Sequence, residues 1–569
     1  MTSRSSMLPR GGACIPCRRR KMRCNGGKPV CEQCTEVGTP EDCEYITGQG
    51  TVTRTQLLEE TVDILEARIR ELEHPDPTSA TVSLRSPYNA SSRNSRTRSS
   101  SYSPAPPLEI PTMDVLSVDN DRLGGQHVLS IPEVHMIIDI FVLHSSRIGF
   151  FLSVPSFIRR VRSPEVSSAH AHPLNDILIA TACLWGCRFA GNPSIKSKES
   201  DLLRQVVQQA SGFLLTDGGN PTRSVMAFIQ AEVLLANYFF TTDRLLEGRY
   251  HGSAALSLVL SCRLNLRTTL QPSATQESSS RAPRQASIQT PHDFVQIGER
   301  VNAFWTVCSL YKAWAAASGA PSTIWAGEGS SGLRIEIPPP LSMEACEKGT
   351  VTTADLNASS TIMDVLRNGG ASSLMSLTPL GLYSRAALLY THVSWAGSRY
   401  KEGMPLEEKI ALYDQLQNLH GPATSFLNGV MALEPVRPIR YLLTVSTLAR
   451  SALIRLHKDY MAIDAYSRET CLSSANSILN LLHGVSLNDI KYIDPIMAML
   501  LGCAGRVYTT EMTRYRNSIQ RQPSQEDQMY ISGLLASAQQ LLGLMFDYGA
   551  ICPLMISQAN SLANVLASA

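Results

Sequence analysis

Cys14-Ile15-Pro16-Cys17-Arg18-Arg19-Arg20-Lys21-Met22-Arg23-Cys24, continued by Cys31, Cys34 and Cys43, decides how this 569-residue chain is read. The six cysteines follow the pattern C-x2-C-x6-C-x6-C-x2-C-x8-C. Two C-x2-C pairs at that density suit zinc, whose structural sites are tetrahedral and take four thiolates each. Six cysteines cannot fill two separate four-ligand sites, but they suffice when two thiolates bridge both metals. One C-x2-C…C unit then repeats the other, with Cys14 and Cys31 as the natural bridging pair. A disulfide knot would belong to a secreted chain, and no apolar signal-like run precedes Cys14.

Charge divides the two units. Arg10, Arg18, Arg19, Arg20, Lys21, Arg23 and Lys28 lie between residues 10 and 28 with no acid among them, whereas Glu36, Glu41 and Asp42 follow Cys34 without a base. A metal scaffold with one basic and one acidic lobe presents the basic lobe to phosphate. The residues after Cys17 are expected to form a short helix, an element that fits the major groove of B-DNA. Four consecutive basic residues would wrap around that helix, so not all of them can face bases. Arg18 and Arg19 are expected to hold phosphate. The competing reading is a zinc module that binds only protein, a scaffold without base readout.

The cysteine spacing and the run Cys17 to Cys24, with Lys28-Pro29 before the fourth cysteine, resemble the fungal six-cysteine binuclear zinc-cluster transcription factors. The resemblance covers the first 75 residues closely and much of the remainder loosely. It implies two zinc ions held by Cys14, Cys17, Cys24, Cys31, Cys34 and Cys43, and double-stranded DNA as a partner. Arg18, Arg19, Arg20, Lys21, Arg23 and Lys28 become DNA-binding residues. Arg20 and Lys21 fall where the family reads a CGG-type triplet, Lys21 being the stronger candidate. A nuclear RNA polymerase II transcription regulator follows, working with the transcription machinery.

Beyond the module the chain falls into segments. Residues 1–13 are read as a disordered tail, 14–46 as the zinc-cluster domain and 47–54 as a linker. In 55–74 Leu58, Leu65 and Leu72 occupy d positions and Val62 and Ile69 occupy a positions, the pattern of a parallel two-stranded coiled coil. Arg68 can pair with Glu73 of a second copy, and the expected state is a homodimer. The alternative is one amphipathic helix packed on the rest of the protein. Residues 75–125 are Ser-, Arg- and Pro-rich and expected to be disordered. Residues 126–569 carry helix-period patterns with almost no strand-like alternation, so an all-α domain is expected there. Ser130-Ile131-Pro132-Glu133 is read as a capping box with proline at the first helical position, followed by the apolar run Val134–Leu143. The other patterned segments are Asn175–Cys187, Val225–Tyr238, Asp243–Leu264, Phe294–Ala317, Tyr383–Arg399, Pro438–His457, Arg468–Leu482, Pro495–Tyr508 and Ile531–Phe546. Loops are expected near 268–290 and 338–375. Leu246-Glu247-Gly248-Arg249-Tyr250, Glu299-Arg300 with Phe304-Trp305, and Tyr492-Ile493-Asp494-Pro495 resemble the family's middle regulatory region. That resemblance implies control of the N-terminal module, with a small-molecule effector among the partners it allows.

Net charge is only +2, so the basic character is local. No run of about 18 uninterrupted apolar residues is present, and no membrane partner is expected. The remaining cysteines sit mostly in apolar helical patterns and are read as buried thiols. His170-x-His172 lies in a Ser/Ala/Pro stretch and is read as a solvent loop. No G-x-S-x-G, P-loop or H-E-x-x-H motif occurs, so no enzyme chemistry is expected.

Overall fold

Short polar residues and prolines set where the helices of this chain begin. In the computed structural model the described residues are 12–38, 40, 43 and 128–568, except 164–171, 214–220, 271–290, 320–334, 358–373, 400–403, 434–438, 486–489 and 520–521. The chain divides into two compact units, Met1–Ser117 and Val118–Ala569. The expected coiled-coil helix at 55–74, with the linkers at 47–54 and 75–125, lies outside the described residues.

Among its described residues the first unit holds two one-turn helices, α1 (Ile15–Arg19) and α2 (Glu32–Glu36). The second begins with α3 (Ile131–Val142), α4 (Val154–Val161), α5 (Ile177–Phe189), α6 (Pro193–Lys196), α7 (Glu199–Phe213) and α8 (Pro221–Thr241). It continues through α9 (Leu245–Ser261), α10 (Phe294–Ala317), α11 (Met343–Lys348), α12 (Thr353–Asn357), α13 (Pro379–Gly397) and α14 (Leu406–Leu433). It ends with α15 (Ile439–His457), α16 (Ala465–His483), α17 (Ile496–Ser518), α18 (Gln525–Tyr548) and α19 (Pro553–Ser568). Among the described residues there is no strand.

The helix starts follow from local chemistry. The Glu133 carboxylate accepts the backbone N–H and the hydroxyl of Ser130, each at 2.8 Å, which closes a capping box before α3. Asp176 accepts the Leu178 N–H at 3.0 Å, Asp293 the Gln296 N–H at 2.8 Å, and Asp464 the Ser467 N–H at 2.8 Å. Each satisfies a donor that the first helical turn cannot.

Helices neighbouring in sequence pack in pairs. α3 lies on α5, α5 on α7 and α8, α8 on α9, α9 on α10, and α10 on α13. α15 receives α13, α14, α16 and α17, while α18 and α19 cover α17. The second unit has two apolar cores joined through α8, which buries Ile229, Val233 and Phe240 in one and Phe228, Leu235 and Phe239 in the other. A helix apolar all round belongs in such a place. By length and composition α18 is long and apolar enough to cross a membrane; it buries Leu534, Ala538, Leu541, Met545 and Tyr548.

Seven helices of the second unit lie outside the segments read from sequence: α4, α6, α7, α11, α12, α14 and α19. α7 shows only a narrow stripe, Leu202, Val206 and Ala210, on a polar helix, and α14 carries Pro422 inside it. Proline normally ends a helix, yet Ala423, Phe426, Val430 and Leu433 are buried beyond it. α4 carries Pro155 in its first turn and α19 begins at Pro553. The stretch expected as a loop from 338 is ordered in its first part. Trp305 Nε1 donates to the Pro338 carbonyl at 2.8 Å. The Asn302 side chain donates to the Leu341 carbonyl and accepts its N–H. Those bonds strap residues 338–341 to α10, and α11 packs on the same helix. The expected loop near 268–290 opens with a 3-10 turn at Arg267–Leu270, and 271–290 lies outside the described residues. Proline stands second rather than first in α3, because Ile131 already belongs to the helix.

Candidate metal centre and nucleic-acid interface

Cys14, Cys17, Cys31 and Cys34 are the only buried side chains among the described residues of the N-terminal unit. Among its described residues there is therefore no apolar core, and what holds them together must act on the sulfurs. Its six cysteines form two overlapping groups, Cys14–Cys17–Cys24–Cys31 and Cys14–Cys31–Cys34–Cys43, each with all sulfurs within 4.8 Å of one another. Cys14 and Cys31 belong to both. Their sulfurs lie 3.6 Å apart, Cys17 and Cys31 also 3.6 Å, Cys14 and Cys34 3.7 Å, and Cys24 and Cys14 3.9 Å. Four thiolates around one zinc, each ~2.3 Å from the metal, are separated by ~3.8 Å at tetrahedral angles. The donor set and its spacing fit two zinc ions sharing two thiolates.

Local folding puts the sulfurs there. Cys14 and Cys31 stand at the N-caps of α1 and α2, and Cys17 and Cys34 on their third helical residues. Backbone donors face the sulfurs: Cys34 N–H to Cys31 at 3.4 Å, Gly26 N–H to Cys24 at 3.4 Å and Cys31 N–H to Cys43 at 3.2 Å. Burial pushes the Cys14 and Cys17 thiols up, and Cys34 up to about 12. Burial acts upward on Cys31 too, but the Cys34 N–H and neighbouring thiols outweigh it and hold that thiol at about 6. A bound zinc takes thiolates and so displaces the remaining protons.

The basic residues sit differently from expectation. α1 starts at Ile15, ahead of Cys17, because Cys14 is extended at the N-cap and Pro16 presets the first turn. Only Arg18 and Arg19 of the basic run are helical. Arg20 is the C-cap, and Lys21 follows with φ of 54° in the left-handed region. The Lys21 N–H donates to the Arg18 carbonyl at 3.2 Å and the Met22 N–H to the Cys17 carbonyl at 2.9 Å, which is a Schellman turn. Four consecutive basic residues thus do not wrap one helix: they leave it through a tight turn that redirects Lys21 and Arg23. Arg18, Arg19, Arg20, Lys21, Arg23 and Lys28 are all exposed. Around α2 the exposed charges are Glu32 and Glu36, while Glu41 and Asp42 lie outside the described residues.

The other sequence candidates belong to the helical unit. Cys183, Cys187, Cys308, Cys346, Cys471, Cys503 and Cys552 are buried and Cys262 is half-buried. His172 Nδ1 accepts the Leu174 N–H at 3.2 Å and so caps a turn, while His170 lies outside the described residues. Gly248 passes Phe240 so closely that a Cβ would meet its ring at 2.5 Å. Glu299 accepts the Ser153 N–H at 2.9 Å, and Arg300 donates to the Thr269 carbonyl at 2.7 Å. Asp494 accepts the Ile496 N–H at 3.1 Å. These resemblances mark packing and capping positions.

Residues 12–50 match the model of the fungal Zn(2)-Cys(6) binuclear cluster domain, a domain that binds two zinc ions. Among curated proteins the chain is similar to the Zn(2)-C6 fungal-type transcription factor FTF1c of Fusarium oxysporum f. sp. lycopersici (strain 4287), 26% identical over 224 residues. That match covers 34% of this chain and 23% of the relative. The transcription factors FTF1a and FTF2 of the same organism are each 25% identical over 224 residues, 34% of this chain and 20% of theirs. The chain thus spans less than a quarter of the length of these relatives. No solved structure matches it.

Proposed function

We propose that this chain, whose residues 12–50 are a fungal Zn(2)-Cys(6) binuclear cluster domain, is a zinc-dependent DNA-binding transcription regulator rather than an enzyme. The observation that carries the reading is the asymmetry of the cysteine module. Two similar halves share one metal-binding core, and one half exposes Arg18, Arg19, Arg20, Lys21, Arg23 and Lys28 while the other exposes Glu32 and Glu36. The six cysteines hold two zincs, with Cys14 and Cys31 bridging. Arg18 and Arg19, on α1, contact phosphate. Arg20 and Lys21, at the turn, reach base edges of a CGG-type triplet, where a basic side chain donating to guanine O6 and N7 contributes ~1–3 kcal/mol of discrimination. The relatives' names as transcription factors support the same class.

Residues 55–74 join two copies through Leu58, Val62, Leu65, Ile69 and Leu72, so that paired triplets are bound by a homodimer. The chain acts in the nucleus with the transcription machinery, and residues 126–569 regulate the module in response to a small-molecule effector. The test is selection of bound sequences from a random DNA pool by the full-length zinc-loaded protein. Enrichment of paired CGG-type triplets is expected, with Lys21→Ala losing preference and Leu65→Asp losing cooperativity at paired sites. A pool that stays random would replace this reading by the scaffold one.

A further inference from the structure

The helical unit contains a cavity of about 190 Å³ whose walls come from the segment after α3 and from α8, α10, α13, α15 and the segment leading into α17. A cavity of ~150 Å³ accepts a benzene-sized ligand, so this one has room for a small metabolite. Leu310 and Leu443 supply apolar wall, Thr306 and Tyr383 supply hydroxyls, and Arg147 and Asp494 bring opposite charges to the same cavity. The two charges do not form an ion pair with each other. Among the described residues Asp494 meets only neutral donors, the Ile496 N–H at 3.1 Å and the Tyr383 hydroxyl. The Arg147 side chain is half-buried and has no hydrogen-bond or ion-pair partner among the described residues. A carboxylate withdrawn from water without a cation is costly, and here Arg147 lines the same cavity, also without an ion-pair partner among the described residues.

We infer that this cavity binds a small zwitterion with an apolar body, an aliphatic α-amino acid, its ammonium on Asp494 and its carboxylate on Arg147. Such a ligand supplies a partner to each charge and sets its apolar body against Leu310 and Leu443. Because the walls come from separate helices and segments, an occupant ties together elements that otherwise meet only by packing. The inference specifies the effector part of the proposed function and is independent of DNA reading: binding without DNA recognition, or the reverse, tells the two apart.

The experiment is titration calorimetry of the full-length zinc-loaded protein, without DNA, using L-leucine, isopentylamine and 4-methylpentanoate. The last two keep the body of leucine but lack its carboxylate and its amine respectively. Saturable one-site binding of L-leucine is expected, with each analogue weaker by about tenfold or more, as for loss of a hydrogen bond to a charged group. Arg147→Gln and Asp494→Asn, checked for retained helicity by circular dichroism, are expected to weaken L-leucine by a similar factor. No saturable heat up to ~10 mM, or equal binding of leucine and either analogue, overturns the inference. The analogue comparison needs only the wild-type chain, so it stands even if a variant does not fold.

Discussion

Lys21 and Gly38 hold the same place in the two halves of the cysteine module. They lie seventeen residues apart, the offset that also separates Cys14 from Cys31 and Cys17 from Cys34. Both have positive φ, 54° at Lys21 and 73° at Gly38. The bond from Lys21 N–H to the Arg18 carbonyl recurs as Gly38 N–H to the Thr35 carbonyl, both at 3.2 Å. Glycine adopts that conformation freely, whereas a residue with a Cβ is strained there by ~1–2 kcal/mol. The basic half therefore keeps a strained lysine where the acidic half uses glycine, and strain retained in that way is a mark of function.

Lys21→Gly is accordingly expected to hold zinc at least as well as wild type against a chelator while losing sequence preference on DNA. Gly38→Lys is expected to weaken the fold by about 1–2 kcal/mol. Nothing lies within 4 Å of a Cβ built at Gly38, so the cost is conformational rather than steric. Chelator competition and DNA binding, both on the full-length chain, check the pair. Unchanged preference in Lys21→Gly would remove the lysine from base reading.

A shared core predicts unequal damage from cysteine loss. Cys14→Ala or Cys31→Ala should abolish binding of both zincs, because each sulfur belongs to both groups, while Cys17→Ala or Cys43→Ala should strike one site directly. Structural zinc contributes on the order of 10 kcal/mol or more to small modules of this kind, and among the described residues of the module no apolar core is present to replace it. Native mass spectrometry of the full chain reads the stoichiometry. One zinc per wild-type chain would defeat the shared cluster.

The metal centre was legible because cysteine spacing records ligand geometry directly. The turn at Lys21 was not, since the usual sign of a Schellman turn is a glycine and here that sign appears only in the second half. In the helical unit, Phe294–Ala317 has the bounds read from sequence. Asp293 announces its start, and apolar residues fill it almost to Gly319. The 28-residue α14 escaped because Pro422 interrupts its pattern. Contacts such as Asn302 with Leu341 are 39 residues apart and have no local signature at all. The cavity charges were equally hidden: Arg147 and Asp494 are brought together only by packing, and Asp494 reads in sequence as a helix start.

Acid sensitivity should arise at His457. Its ring is buried, with Nε2 3.0 Å from His420 Nδ1 and Nδ1 2.9 Å from the Ser467 hydroxyl. Burial, then the facing His420, lowers its pKa to about 4, with Asp464 opposing. The unfolded chain takes up this proton near pH 6.5 and the folded chain only near 4, so stability present above 6.5 is lost as pH falls between them. The full term is ~3 kcal/mol. His457→Leu is expected to flatten the fall in melting temperature between pH 6.5 and 4.5; an equally steep fall in the variant would place the sensitivity elsewhere.

Asp494 has the opposite sign. Burial raises its carboxyl to about 6, against the Ile496 N–H and the Tyr383 hydroxyl, which favour the charged form. Tyr383, Tyr492 and Cys552 also face it electrostatically, none of them a cation, while Arg147 lines the same cavity. Between its ordinary value near 4 and about 6 the folded chain holds the proton more tightly, so stability falls as pH rises through that window. At pH 7.5 the charged Asp494 therefore weakens the ligand-free fold, and Asp494→Asn, which keeps an acceptor for the Ile496 N–H, should stabilise it by about 1–3 kcal/mol. That gain should vanish near pH 4, where both side chains are neutral. With L-leucine at pH 7.5, wild type should gain more stability than the variant, because only the carboxylate can pair with an ammonium. Melting curves of the two proteins with and without L-leucine measure all of this. A variant no more stable than wild type at pH 7.5 would mean that the Asp494 charge is already compensated within the fold, leaving nothing for a ligand to offset.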